Sequence, residues 1–138
     1  MNIFHDKSTS ISEWDNIIDI WDKDEDEEDY VITRKSDGIH IGWIGINGLL
    51  SENKIVWIKM IALLPRFWGN SYGSKVIKEV KQIFKSRGYR EIQLWTDEAN
   101  GRAQKCYKLN GFTVIDKKQG SVGNRDIVVN RLLMSCKL

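Results

Sequence analysis

The stretch PRFWGNSYGSKVIKEVKQIF, residues 65–84, sets Gly69, Asn70, Ser71, Tyr72, Gly73 and Ser74 directly before an amphipathic pattern whose outer face is mostly lysine. Small residues let a backbone approach a ligand closely and reach conformations closed to bulky ones. A helix start adds unpaired N–H donors and the positive end of the macrodipole. Together these features suit an anion. The spacing is not that of a Walker loop, because Gly69 and Gly73 are too close and Lys75 is displaced, and it is not the dinucleotide fingerprint. A tight strand-to-helix turn without a ligand fits these residues about as well.

Other side chains with chemical potential are sparse. The two histidines, His5 and His40, stand alone, and Cys106 and Cys136 lack metal-ligand spacing, so no metal is expected. Two cysteines are too few for a disulfide framework. No apolar run is long enough to span a bilayer and no signal-peptide pattern opens the chain. The 138 residues, 41% of them hydrophobic, suit one domain over 1–138, cytoplasmic and with free thiols. Charge is uneven: residues 1–30 hold 11 acids against 2 bases, and residues 31–138 hold 8 acids against 19 bases. The acidic run 22–29 reads as a solvated loop, or as an attraction for a cationic amine.

The elements that must position the loop follow from periodicity. Residues 1–5 suit a short strand. STSISEWDNIIDIW (8–21) suits a helix, with a Ser10–Glu13 capping box and one apolar face of Ile11, Trp14, Ile17, Ile18 and Trp21. YVITRK, SDG and IHIGWIGINGLL form a hairpin, in which Gly42, Gly45 and Gly48 imply bulges or close packing. IVWIKMIALL (55–64) is expected to be a central strand buried on both faces, ended by Pro65. Val76, Ile77, Val80, Ile83 and Phe84 then make a helical stripe stopped at Gly88, with Lys75, Lys78, Lys81 and Lys85 in solvent. REIQLWT follows as a strand, and the right-handed crossover makes it parallel to 55–64. NGRAQKCYKLNGF is a short helix from an Asn cap, Asn100, to a Gly stop, Gly111. FTVID, a KKQGSVGN loop and RDIVVNRLLMS close the chain as a second hairpin. The class is α+β: a mixed, mostly antiparallel sheet with helices on both faces.

LLPRFWGNSYGSKVI followed by NGRAQKCYKLNGF resembles the GCN5-related N-acetyltransferase (GNAT) family. The first stretch is similar to its Q/R-x-x-G-x-G/A coenzyme A loop and the second to its N-x-x-A-x-x-x-Y-x-x-x-G-F helix. The likeness covers about residues 30–135. It implies a central parallel pair that splays, with the pantetheine arm in the cleft against main-chain groups of Ile61, Ala62 and Leu63. It further implies that the amides of Trp68, Gly69, Asn70, Ser71, Tyr72, Gly73 and Ser74 hold the diphosphate. Asn100 and Ala103 would lie beside the coenzyme, and Tyr107 would be the general acid. Trp68 departs from the motif's first Arg or Gln, and Ser71 from its first glycine. The Ser71 hydroxyl can donate to phosphate, but a required positive φ would strain it. The family's two N-terminal helices read as one here.

Such a family member moves an acetyl group from acetyl-coenzyme A, as co-substrate, to a primary amine. An attacking amine must lose a proton, the oxyanion needs a donor and the thiolate must be protonated. An amide near Leu63 serves the oxyanion, and Tyr107 serves the sulfur. By residue type alone Tyr107 is more often a core-edge aromatic on a helix. The strand 55–64 carries Lys59 where the family often has a carboxylate. Asp97 and Glu98 follow the neighbouring strand near the cleft mouth. Glu98 is the expected base, directly or through water, although a solvent-exposed loop carboxylate or helix N-terminal charge fits it at least as well, and Glu52 is more remote. Trp43, Trp57 and Trp95 suit the core, or one of them floors an acceptor pocket. Cys106 reads as a small filler. The expected partners are acetyl-coenzyme A and an amine on a small molecule or a protein, with no membrane or nucleic acid, in a monomer or homodimer. The rival reading is a coenzyme A-binding sensor or pseudoenzyme.

Overall fold

The computed structural model describes residues 4–5, 25–122 and 128–138. Its strands are β1 (Phe4–His5), β2 (Glu28–Thr33), β3 (His40–Asn47), β4 (Ile55–Leu63), β5 (Glu91–Asp97), β6 (Thr113–Val122) and β7 (Val128–Lys137). Its helices are α1 (Tyr72–Ser86) and α2 (Gly101–Leu109). The strands form one sheet in the order β1-β2-β3-β4-β5-β7-β6. Only β4 and β5 run parallel; every other neighbouring pair is antiparallel. The helix expected over 8–21 lies outside the described residues.

The local signals explain most of these elements. Gly38, at φ +73°, turns the β2–β3 hairpin, closed by the Arg34 amide donating to the Ile39 carbonyl at 2.8 Å. At Gly42 a Cβ would sit 2.0 Å from the Ala62 carbonyl oxygen, so β3 and β4 approach there only because the side chain is missing. Helix α1 buries Val76, Ile77, Val80 and Phe84 against Val56, Ile58, Ile92, Leu94 and Met134 of the sheet. Each such side chain contributes about 1.5–3 kcal/mol by leaving water. The chain leaves α1 through Gly88 at φ +92°. Tyr107 of α2 and Phe112 after it join the same core, so both described helices cover one face of the sheet.

Two expectations need correction. Strand β4 is central, but it is not buried on both faces. Val56 and Ile58 are buried, whereas Trp57 is half-buried and Lys59 exposed. Alternation sends these two to the face away from α1. The segment 117–124 is not all loop, because β6 continues to Val122. Lys117 pairs with Leu132 and Lys118 with Arg131. A partner strand overrides the polar, glycine-containing composition there.

Candidate active site

The parallel contact between β4 and β5 is short. It consists of Ile55 opposite Glu91, Val56 opposite Ile92 and Trp57 opposite Gln93. Beyond Trp57 the two strands follow other neighbours, β4 staying with β3 and β5 staying with β7 as far as Asp97 opposite Arg131. A register break explains the parting. Gly45 faces Met60 while the next residue, Ile46, faces Ile58, so Lys59 is an extra residue in β4. Such a bulge bends its strand and increases local twist. The sheet opens as a wedge just past it.

The open edge of β4 can be read from hydrogen-bond alternation. The Leu64 amide donates to the Ile41 carbonyl at 2.8 Å and so faces β3. The main-chain groups of Leu63 and Ile61 therefore face the wedge, and those of Ala62 face β3. The chain then makes a 3-10 turn over Pro65–Phe67 and enters α1. Buried Phe67 meets Tyr72 edge-on at 6.0 Å, and the Arg34 guanidinium lies 5.2 Å over Phe67 and donates to the Tyr72 hydroxyl at 3.3 Å. Arg34 is itself held by Asp37 at 2.5 Å. The Tyr72 side chain thus anchors the loop.

Gly69 and Ser71 both take left-handed backbone, at φ +78° and +63°. Ser71 is the N-cap of α1, but no side chain caps that end and no acid stands in its first turn. The first-turn amides of Tyr72, Gly73 and Ser74 are therefore donors in a positive potential. Ser74 is fixed from below: its hydroxyl accepts from Asn110 Nδ2 at 2.9 Å, and the same nitrogen donates to the Cys106 carbonyl at 2.8 Å. Lys81 donates to the Asn110 carbonyl at 2.7 Å, so this lysine ties α1 to the end of α2 instead of lying free in solvent. Asn110 is a positioning residue that motif reading passed over. Its one signal was a polar side chain at the end of an amphipathic helix.

Across the wedge, Asn100 Oδ1 accepts from the Ala103 amide at 3.1 Å and caps α2. Ala103 is half-buried against the core. Gln104 donates to the Glu98 and Asp97 carbonyls at 2.6 and 3.2 Å, which pins the β5–α2 turn. Tyr107 is 8% exposed, with its ring 5.8 Å from Phe112. Burial, helped by neighbouring Cys106, pushes its pKa up to about 12, so it keeps its proton. Burial also raises the Cys106 thiol, which suits its reading as a filler.

On the face away from α1, the wedge opens into a cavity of about 670 Å³. Among its walls are Asn47, Trp57, Lys59, Trp95, Asp97 and Arg131. Asn100 also reaches it. Asp97 pairs with Arg131 at 3.6 Å, and Lys59 with Glu27 at 2.7 Å. Glu98 does not line this cavity. Its carboxylate is exposed and sits 2.5 Å from Lys117, whose hydrogen bond holds it below the usual carboxylate range. Glu52 lies in the turn before β4, at the end of that strand away from the 64–74 loop. Trp57 and Trp95 join the cavity, whereas Trp43 donates to Met60 Sδ at 3.3 Å. Among the described residues no group of His, Cys, Asp and Glu could hold a metal, and no helix is long and apolar enough to cross a membrane.

A splayed parallel pair with an uncapped helix start following β4 is an acyl-coenzyme A transferase architecture. A family model described as the acetyltransferase (GNAT) family matches residues 2–112, and the chain belongs to that family, whose members are acetyl-coenzyme A-dependent enzymes. Solved structures agree on the fold. The spermidine N-acetyltransferase from Vibrio cholerae, in complex with CoA and spermine, matches at TM-score 0.79 and 15% identity, over 93% of this chain and 75% of that one. A GNAT family acetyltransferase from Elizabethkingia anophelis with acetyl-CoA bound matches at 0.73 and 19%, over 99% of both chains. The ribosomal-protein-S18-alanine N-acetyltransferase from Escherichia coli matches at 0.73 and 15%, over 86% and 73%. No curated protein matches the sequence.

Proposed function

We propose that this chain transfers an acetyl group from acetyl-coenzyme A directly to a primary amine while both are bound. The observation that carries the reading is the wedge between β4 and β5, open to the Tyr72–Ser74 amides on one face and to the 670 Å³ cavity on the other. The residues fit the coenzyme. The left-handed turn at Ser71 and the acid-free helix start suit a diphosphate, and the outward groups of Ile61 and Leu63 suit an amide-bearing arm. The amine would enter beside Trp57, Trp95 and Asp97.

The chemistry follows from those positions. The amine nitrogen attacks the thioester carbonyl carbon, and a C–N bond forms as charge gathers on oxygen. The Leu63 amide, turned to the wedge, supports that oxygen. The C–S bond then breaks, and Tyr107, held protonated by its burial, donates to the sulfur. The amine's proton leaves through water to Asp97. Its place in the cavity wall supports Asp97 over Glu98, which Lys117 engages elsewhere. The acceptor classes are a small polyamine-like or antibiotic molecule, another metabolite, or a protein N-terminus or lysine.

Thiol release from acetyl-coenzyme A, measured across a panel of such amines, tests the reading. Acceptor-dependent release supports it. Saturable coenzyme binding without release for any amine would establish the second reading, a coenzyme A sensor. Lys59 at the bulge, in place of a carboxylate, is the observation favouring that alternative.

A further inference from the structure

Trp68 makes two contacts that its exposure does not explain. The side chain is 52% exposed, so burial does not hold it in place. Its indole nitrogen donates to the Leu63 carbonyl at 2.8 Å. The Arg102 guanidinium, from the first turn of α2, lies 5.1 Å over its ring. The Leu63 carbonyl belongs to the open edge of β4, since Leu64 is the residue turned to β3. The indole therefore satisfies a strand-edge acceptor that no neighbouring strand takes. The two contacts together run from β4 to α2 across the mouth of the wedge. Left-handed backbone follows at Gly69 and Ser71, and nothing lies within 4 Å of where a Gly69 Cβ would stand. The loop beside the ring has room to turn.

We propose that Trp68 is a latch on the coenzyme cleft, its indole competing with the amide of the incoming pantetheine arm for the Leu63 carbonyl. This rests on the coenzyme reading above and adds a cost to binding: the indole must leave before the arm can pair with β4. A carbonyl oxygen has two lone pairs, so the competition is for the one directed out from the strand edge into the wedge. Arg102 steadies the ring over the mouth by a cation–aromatic contact.

Trp68→Phe tests it, because it keeps an aromatic ring near Arg102 and removes the N–H together with the pyrrole part of the indole that carries it. Coenzyme A is titrated into the full chain and its variant by calorimetry, with association and dissociation rates from stopped flow. The variant should bind about twofold to tenfold more tightly, the range of one net hydrogen bond, with the gain in the association rate. Equal or weaker binding, or a faster dissociation rate, overturns the latch and leaves the coenzyme reading intact. Binding by the variant alone would support both. If neither protein binds coenzyme A, both fall. A second measurement does not depend on the variant's affinity. The indole N–H resonance of Trp68, assigned by its loss in Trp68→Phe, should be protected from solvent exchange and lose that protection when coenzyme A is added. Protection that persists at saturation overturns the latch.

Discussion

The two sides of the wedge are built differently. On the α1 side the candidate site is one continuous stretch, Leu63 to Ser74, steadied from outside by Arg34 at Tyr72 and Asn110 at Ser74. On the other side Asn47, Trp57, Lys59, Trp95, Asp97 and Arg131 come from β3, β4, β5 and β7. No short motif joins them. On the proposed reading the coenzyme side would bind with backbone and so tolerate varied side chains, whereas the acceptor side would have only side chains with which to discriminate. Substitutions should therefore split by side, changing coenzyme affinity on one and turnover or acceptor use on the other.

The largest effect is expected between the two sides. Tyr107→Phe should lower turnover by about 10²–10⁴-fold with coenzyme affinity near normal, measured by thiol release and calorimetry. Unchanged turnover would remove Tyr107 as the acid. The pH profile sharpens this. Because burial raises the Tyr107 pKa from 10.0 to about 12, the proton is present throughout the neutral range. It is lost only as pH rises toward about 12, so no decline from this group should appear around pH 10.

Next comes the coenzyme side. Gly73→Glu should weaken coenzyme binding by at least about 100-fold, since it places a carboxylate where the diphosphate is expected. Gly73→Ala is the control. Its Cβ would meet Cys106 Sγ at 3.6 Å and Leu63 Cδ1 at 3.9 Å, which is ordinary contact, so that variant should fold and bind. Retained affinity in the glutamate variant would break the assignment of the loop.

On the acceptor side, Asp97→Asn should lower turnover by about 10-fold or more at unchanged coenzyme affinity. Glu98→Gln should change turnover by less than about twofold, because an exposed ion pair contributes little. The reverse ranking in rate measurements would return the base role to Glu98. The smallest effect is expected at Ser71. A left-handed L-residue costs about 1–2 kcal/mol, partly offset by the greater freedom glycine has when unfolded. Ser71→Gly should therefore stabilise the fold by about 0.5–1 kcal/mol in denaturant titration. A loss of stability would mean that the Ser71 side chain contributes more than its backbone costs.

Particular residues show where sequence reading succeeds. The stripe Val76, Ile77, Val80 and Phe84 is buried as its spacing demands. Asn100 caps α2, and Gly88 and Gly111 leave their helices at φ +92° and +90°. The Gly45 expectation also held, since the β3–β4 register breaks between Gly45 and Ile46. The extension of β6 was not legible, because Lys117 and Lys118 carry no strand signal until β7 lies beside them. Nor were Asn110 and Arg102, whose roles depend on side chains 36 residues away at Ser74 and 34 away at Trp68.

By itself the sequence determined what depends on a few adjacent residues: the helical stripes, their caps and stops, and the run of small residues before α1. These rest on local sterics and on the fixed periods of helix and strand, which one chain segment carries alone. Only the tertiary structure decided that Lys59 is the extra residue that parts β4 from β5, that Asp97 and not Glu98 lines the cavity, and that Trp68 reaches the Leu63 carbonyl. The first two depend on strand register and on distances between segments far apart in the chain, and the third on the path of the backbone through the turn at Pro65–Phe67; side-chain identity encodes none of them.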